Sequence, residues 1–344
     1  METALFLLVD GITSGAVYGL VALSLIVVYT VTRVVNIAQG EYVMLGALSF
    51  ASALQGVFSP LCLPVVVAIA AFVAVDLLNR HASRTAKLRL LATHAAWIAG
   101  VLAINYAAYR SAGSAGAYWL AALASVATTA SLGPVVHRLS VEPAPNASQI
   151  VLLIVSVGVY MVLHGTAAML WGTEPRSVPP VAEGGVAIGP VFVTYQSLCI
   201  CLLSLTAMVA LYLFSERTLV GQALQAVAIN RVGAQLCGIP VRWAGQLSFA
   251  VGAAFSAFSG LLLAPLVTAN YEMGFVVGLK GFVGATLGGI VEYPTALIGV
   301  GLVGTIESFA AFHASALRDL IVYLLVIPIL LWRNAVKPPQ DHGH

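Results

Sequence analysis

Apolar residues in this chain come in long blocks separated by brief polar breaks. A helix that crosses a bilayer needs about 20 mostly apolar residues. Blocks that meet or approach that length stand near 4–30, 37–57, 61–78, 89–109, 117–136, 148–171, 190–214, 243–267, 274–291, 295–312 and 317–332. The pattern predicts an all-α, polytopic membrane protein of about nine to eleven transmembrane or re-entrant helices. The shorter blocks near 274–312 are the ones expected to bend or re-enter.

Two breaks are longer than turns. Residues 172–189 are rich in proline and carry the pair Gly184-Gly185, which suits an ordered loop rather than a helix. Residues 215–242 instead contain a good helix former, predicted as one helix from Gln222 to Leu236 and stopped by Gly238 and Pro240. Leu224, Val227, Ala228 and Ala234 fall at helical spacing there, interleaved with Gln225, Asn230, Arg231 and Gln235.

Composition removes the soluble alternatives. Hydrophobic residues are 60% of the 344 and charged residues 8%, where a soluble domain carries roughly a quarter. The net charge of +2 argues neither for nor against a nucleic-acid partner, and none is expected. Position says more than the sum. With the N-terminus outside, Arg33, Arg80, Arg84, Lys87, Arg89, Arg138, Arg217, Arg231, Arg242, Arg333 and Lys337 fall on the cytoplasmic side. Only Arg110, Arg176 and Arg318 fall outside, and Lys280 lies within a block. This predicts N-terminus out and C-terminus in. The first block lacks a basic flank before it, so it is expected to be retained rather than cleaved.

Small residues recur every four positions at Gly11, Gly15 and Gly19, at Gly252, Ser256 and Gly260, and at Gly284 and Gly288. Such stripes let helix backbones approach closely in lipid. Cys62, Cys199, Cys201 and Cys237 lack metal or redox spacing and are expected to be small buried residues. Phosphate-binding, serine-hydrolase and zinc-protease motifs are missing, so no catalytic residue, cofactor or metal is assigned. His94 and His164 lie inside blocks without an acidic or cysteine neighbour in sequence and suit helix–helix hydrogen bonds.

Two polar groupings stand out. Asn36, Gln39 and Glu41 head the second block. They read either as a capping box with Asn36 as N-cap or as part of a solute pathway, since polar groups within a membrane are costly unless they face protein or water. Lys280 and Glu307 each lie about 9 Å below the outer end of adjacent antiparallel blocks, at 1.5 Å per residue. They read as an ion pair, or as a lysine reaching outward and a glutamate facing a wet cavity.

The stretch GITSGAVYGLVALSLIVVYTVTRVVNIAQGEYVMLGAL, from Gly11, resembles the start of branched-chain amino acid ABC permeases of the LivH kind. VHRLSVEPAPNASQIVLLIVSVGVYMVLHG, from Val136, is similar to the family's basic turn and following helix. GQALQAVAINRVGAQLCGIPVRWAGQLSFAVGAAFSAFSGLLLAP, from Gly221, resembles its coupling segment, and GLKGFVGATLGGI, from Gly278, its Gly-Gly run. The four occur in family order. The chain departs from the pattern at 61–109, which reads as an additional helical hairpin expected at the periphery, at 290–294 and at 333–336.

The resemblance implies an ABC importer permease architecture: a single transmembrane permease domain over 1–344, with 215–242 as the cytoplasmic coupling segment. It implies transport of branched-chain amino acids or related small amino-acid or amide solutes across the inner (plasma) membrane, with no enzymatic role for this chain. The implied partners are a second permease subunit, two cytoplasmic ATPases and an external solute-binding protein. Ala226, Asn230, Arg231, Ala234 and Gly238 would contact the ATPase, with Ala234 at the centre; an ordinary connecting helix is the alternative. For the whole chain the alternative is an ATP-independent secondary transporter or channel.

Overall fold

The computed structural model describes residues 2–79, 84–114, 116–144, 147–188, 191–289, 293–324, 327, 328 and 331. Arg80, Arg333, Lys337, residues 290–292 and residues 333–336 lie outside the described residues.

Each apolar block carries a helix. In chain order these are α1 (Glu2–Thr32), α2 (Gln39–Leu54), α3 (Cys62–Asn79), α4 (Arg84–Arg110), α5 (Ala117–Val136), α6 (Gln149–Trp171) and α7 (Tyr195–Arg217). Two short helices follow, α8 (Leu219–Ile229) and α9 (Arg231–Leu236), and then α10 (Val241–Leu263), α11 (Met273–Gly288), α12 (Tyr293–His313) and α13 (Arg318–Leu324). Among the described residues, seven helices are long and apolar enough to cross a membrane. The protein is an all-α polytopic membrane protein.

The centre is α1, whose residues from Val17 to Val28 are buried. Its glycines explain how it can be surrounded. A Cβ on Gly11 would meet the Thr305 Cα at 2.6 Å, and one on Gly15 the Val300 carbonyl at 3.0 Å, so α12 lies directly on the α1 backbone. On another side, Gly252 leaves room for Val28 and Gln39, and Ser259 donates to the Val17 carbonyl (3.0 Å), fixing α10 against α1. Small residues and serine hydroxyls thus hold together helices that gain nothing by leaving lipid for one another. The helices α4, α6 and α7 present much of their apolar surface outward. The hairpin formed by α3 and α4 packs on α5.

After α1 the chain turns back on itself. Arg33 takes a positive φ of 60°, and its amide donates to the Tyr29 carbonyl (2.7 Å), ending the helix sharply. Residues 34–38 then fold back along α1, so that α2 begins level with Ser24 rather than Thr32. Sixteen residues make α2 about 24 Å long, short of the ~30 Å hydrocarbon layer. The equally short α11 begins beside it: a Cβ on Gly40 would meet the Gly274 carbonyl at 2.2 Å and the Gly278 Cα at 2.9 Å. Two short helices therefore start next to each other inside the protein.

Several expectations need correction. Asn36 is not the N-cap of α2. That position is Ala38, and no side chain caps the helix. The helix expected over 222–236 is two helices, because Asn230 leaves the helical conformation (φ −146°, ψ 102°) to cap α9 through Gly233 N–H. The loop over 172–189 contains β1 (Gly185–Ile188), which pairs with β2 (Val191–Thr194) in an antiparallel hairpin, so α7 starts five residues later than the block suggested. Among the cysteines only Cys62 is buried; Cys199 and Cys201 are half-buried and Cys237 is exposed.

Candidate functional site

The start of α2 separates three residues that sequence reading had grouped. Gln39 is buried, and its amide is fully engaged: Nε2 donates to Ser24 Oγ (3.1 Å) and Ser256 Oγ (2.9 Å), while Oε1 accepts from Asn36 Nδ2 (3.1 Å). Ser24 and Ser256 also bond each other at 2.8 Å. This buried knot ties the re-entrant segment to α1 and α10, giving Asn36 and Gln39 a structural role. Glu41 is different. Its side chain is 0% exposed, and neither carboxylate oxygen has a hydrogen-bond partner. The closest basic group is His164 Nδ1, 3.5 Å from Oε2 and itself without a hydrogen bond. His164 was expected to make a helix–helix hydrogen bond; it does reach another helix, facing this carboxylate of α2, but without a hydrogen bond. His94 bonds within its own helix, to the Leu90 carbonyl (2.9 Å).

Around His164 the rings form a strip. Tyr160 and Tyr271 lie 5.5 and 5.4 Å from it by ring centroid, and Phe275 lies 5.5 Å from Tyr160. Beside the strip is a cavity of about 340 Å³, apolar except for Asn36 and Gln39, and lined by Leu25, Leu153, Phe275 and Phe282 among others.

Lys280 and Glu307 are brought together. Lys280 Nζ donates to Glu307 Oε1 at 2.7 Å, and it also lies 2.9 Å from Asp319 Oδ1. Arg318 closes the group, 3.6 Å from Glu307 and 3.4 Å from Asp319. Two cations thus face two carboxylates at the junction of α11, α12 and α13. Both members from α13 were missed, because its depth could not be counted from an adjoining antiparallel block.

A second charged group was missed altogether. A π-helical turn, His137–Val141, continues α5 and carries buried Arg138, which bonds Asp76 of α3 and Glu142 (2.5 Å). Arg242 at the start of α10 lies 3.0 Å from Glu142. Only the Arg138–Glu142 spacing of four was visible in sequence.

At the same end, α8 and α9 form an elbow beneath α1. The Arg33 guanidinium donates to the Ala228 carbonyl (2.9 Å), and the Arg231 guanidinium to the Val31 carbonyl (3.1 Å). Burial, and then the neighbouring Arg33 charge, lower the Arg231 pKa. Ala234 is not on the outer face. It is 5% exposed and packs in a small core with Val31, Leu224, Val227 and Ala244. Ala226 is half-buried, while Asn230, Arg231 and Gly238 are exposed. Beside these polar groups three large apolar side chains stand outward: Ile229, Val232 and Leu236 are 85, 67 and 84% exposed.

The profile of the family described as branched-chain amino acid transport system / permease component matches residues 7–330. The high-affinity branched-chain amino acid transport system permease protein BraD of Pseudomonas aeruginosa is 26% identical over 333 residues, covering 95% of this chain and 92% of its own length. The LivH permease proteins of Escherichia coli K12 and Salmonella typhimurium are each 25% identical over 329 residues, covering 94% and 91%. A solved structure, PsaBC from Streptococcus pneumoniae in complex with Fab, overlaps 99% of this chain at 10% identity and a TM-score of 0.40. That likeness is too slight to bear on fold or function.

Proposed function

The chain belongs to the permease component family of branched-chain amino acid transport systems, and from that premise we propose that it is the membrane-spanning subunit of an ABC importer. It moves branched-chain amino acids or related small amino-acid or amide solutes inward across the inner membrane. Its partners in this reading are a second permease subunit, two cytoplasmic ATPases and an external solute-binding protein. The N-terminus is outside and the C-terminus cytoplasmic. Residues 1–344 act as one transmembrane unit, with 61–109 as an added hairpin on its flank.

The observation that carries the reading is the α8–α9 elbow. In the proposed orientation its apolar face, Ile229, Val232 and Leu236, meets cytoplasmic water. A patch of that kind on an otherwise polar connection marks a protein contact. Behind it, the two arginine–carbonyl bonds run from the elbow to the end of α1, the helix against which α10, α11 and α12 pack. A push on the elbow is therefore delivered to the helix at the centre of the fold, and the packed glycine faces around α1 can change their relation as rigid surfaces. In this reading, ATP hydrolysis resides in the partners and this chain supplies the route.

The test is reconstitution of the chain with its co-purifying ATPase in vesicles. Leucine presented with the external binding protein should stimulate ATP hydrolysis and uptake together. Uptake that proceeds without ATP and follows an ion gradient would instead establish the secondary-transporter alternative.

A further inference from the structure

Building on the importer reading and naming the chemistry of its pathway, we infer that Glu41, with the rings of Tyr160, His164, Tyr271 and Phe275, receives the ammonium group of the passing solute. The argument begins with an imbalance of charge. Lys280 and Arg318 are matched by Glu307 and Asp319, and Arg138 by Asp76 and Glu142. Glu41 is fully buried with two oxygens lacking hydrogen bonds; among the described residues its one charge-bearing neighbour is the His164 imidazole, 3.5 Å from Oε2, and no lysine or arginine pairs with it. Glu41 lies in the first turn of α2, and the first turn of α11 abuts it: a Cβ on Gly274 would come within 2.8 Å of Oε1. Positive helix ends stabilise a carboxylate but do not neutralise it.

What completes such a site is a compact cation with several N–H donors. An ammonium group offers three, enough for both oxygens of Glu41, and ring faces within about 6 Å attract it further. The strip from His164 through Tyr160 to Phe275 is placed for this, and it reaches the surface, since the His164 side chain is 26% exposed and Phe275 is exposed. A metal ion fits less well. Among the described residues no three His, Cys, Asp or Glu side chains gather anywhere to hold one. The neighbouring cavity of about 340 Å³ shares Phe275 with the strip and is apolar, so a branched hydrocarbon attached to the ammonium group has a place to lie.

The test uses the full-length permease in lipid nanodiscs with the subunits that co-purify. Three probes of like shape are titrated by ligand-observed NMR: 3-methylbutylamine, leucine and 4-methylpentanoate. The first two should bind, and the acid, which lacks the ammonium group, at least tenfold more weakly. Glu41→Gln should weaken the first two by tenfold or more, Glu41→Asp should keep part of the binding, and the melting temperature should hold in both. Equal binding of the acid, undiminished affinity in Glu41→Gln, or no binding of the amine to the wild type would each overturn the assignment. If Glu41→Gln does not fold, the order of the three probes on the wild type decides alone. Leucine-stimulated ATP hydrolysis is measured on the same samples. Amine binding that depends on Glu41 without such hydrolysis leaves the site standing and removes the importer reading; hydrolysis without it does the reverse.

Discussion

The contact between α1 and α12 offers a comparison within a single helix. Gly301 and Gly304 are three residues apart on α12, yet they face different surroundings. A Cβ on Gly304 would sit 2.3 Å from the Gly11 carbonyl oxygen, 2.5 Å from the Gly15 nitrogen and 2.8 Å from the Gly15 Cα. All three are backbone atoms, so no rotamer change can relieve them. Ordinary contact begins at 3.4 Å, and moving from 2.3 Å to 3.4 Å requires the helices to part by 1.1 Å. A Cβ on Gly301 meets nothing within 4 Å. Replacing glycine by alanine inside a helix gains about 1 kcal/mol in propensity at either position. Overpacking costs typically 1–3 kcal/mol, and the upper end applies at Gly304 because α1 is also held by α10 and cannot simply retreat. Gly304→Ala should therefore destabilise by about 2 kcal/mol net, and Gly301→Ala should stabilise by up to about 1. The gap of about 3 kcal/mol is roughly a hundredfold in the unfolding equilibrium. Equilibrium unfolding in mixed micelles, followed by tryptophan fluorescence, measures it directly. Equal effects, or a greater loss at Gly301, would refute the close-approach argument.

Other expectations follow from the charged groups and the elbow. Ile229→Asp or Leu236→Asp should cut ATPase co-purification at least about tenfold, as loss of a contact worth ~2 kcal/mol implies, while changing the stability of the isolated subunit by no more than about 0.5 kcal/mol. Ala234→Trp should also abolish transport, but by displacing α9 from its small core, at a stability cost of about 1–3 kcal/mol; unfolding measured on the purified subunit separates that cause from exclusion of a partner. Lys280→Met should destabilise by about 3 kcal/mol, the lower end for a broken buried pair, because Asp319 is half-exposed and Arg318 remains. Exchanging the charges of Lys280 and Glu307 should restore little in an uptake assay. The new glutamate would face Asp319 and the new lysine Arg318, so recovery should appear only when those two are reversed as well.

Much of the fold was legible because lipid leaves a chain few choices. Every backbone group inside the bilayer needs an internal partner, so an apolar run of sufficient length must become a helix, and Ser148 before Gln149 marks one start to the residue. Depth counting also works between adjoining antiparallel helices, which is why Lys280 and Glu307 could be set at one level from sequence. It fails for Asp76 and Arg138, 62 residues apart with another helix between their own, since no periodicity records which helices are neighbours. The break at Asn230 left a trace that was passed over: asparagine is among the preferred helix caps, and here its side chain takes up the Gly233 N–H. Glu41 shows where sequence reading stops. That Asn36, Gln39 and Glu41 were polar groups in an apolar setting was plain. Which of them was free depended on Ser24 and Ser256, 232 positions apart, one unremarked in an apolar block and the other counted only as a small packing residue in a glycine stripe. Their hydroxyls occupy Gln39, Gln39 occupies Asn36, and Glu41 is left facing only the His164 imidazole, with no hydrogen bond to either oxygen. A hydroxyl costs almost nothing in hydrophobic pattern, yet here two of them determine which side chain remains available to a solute.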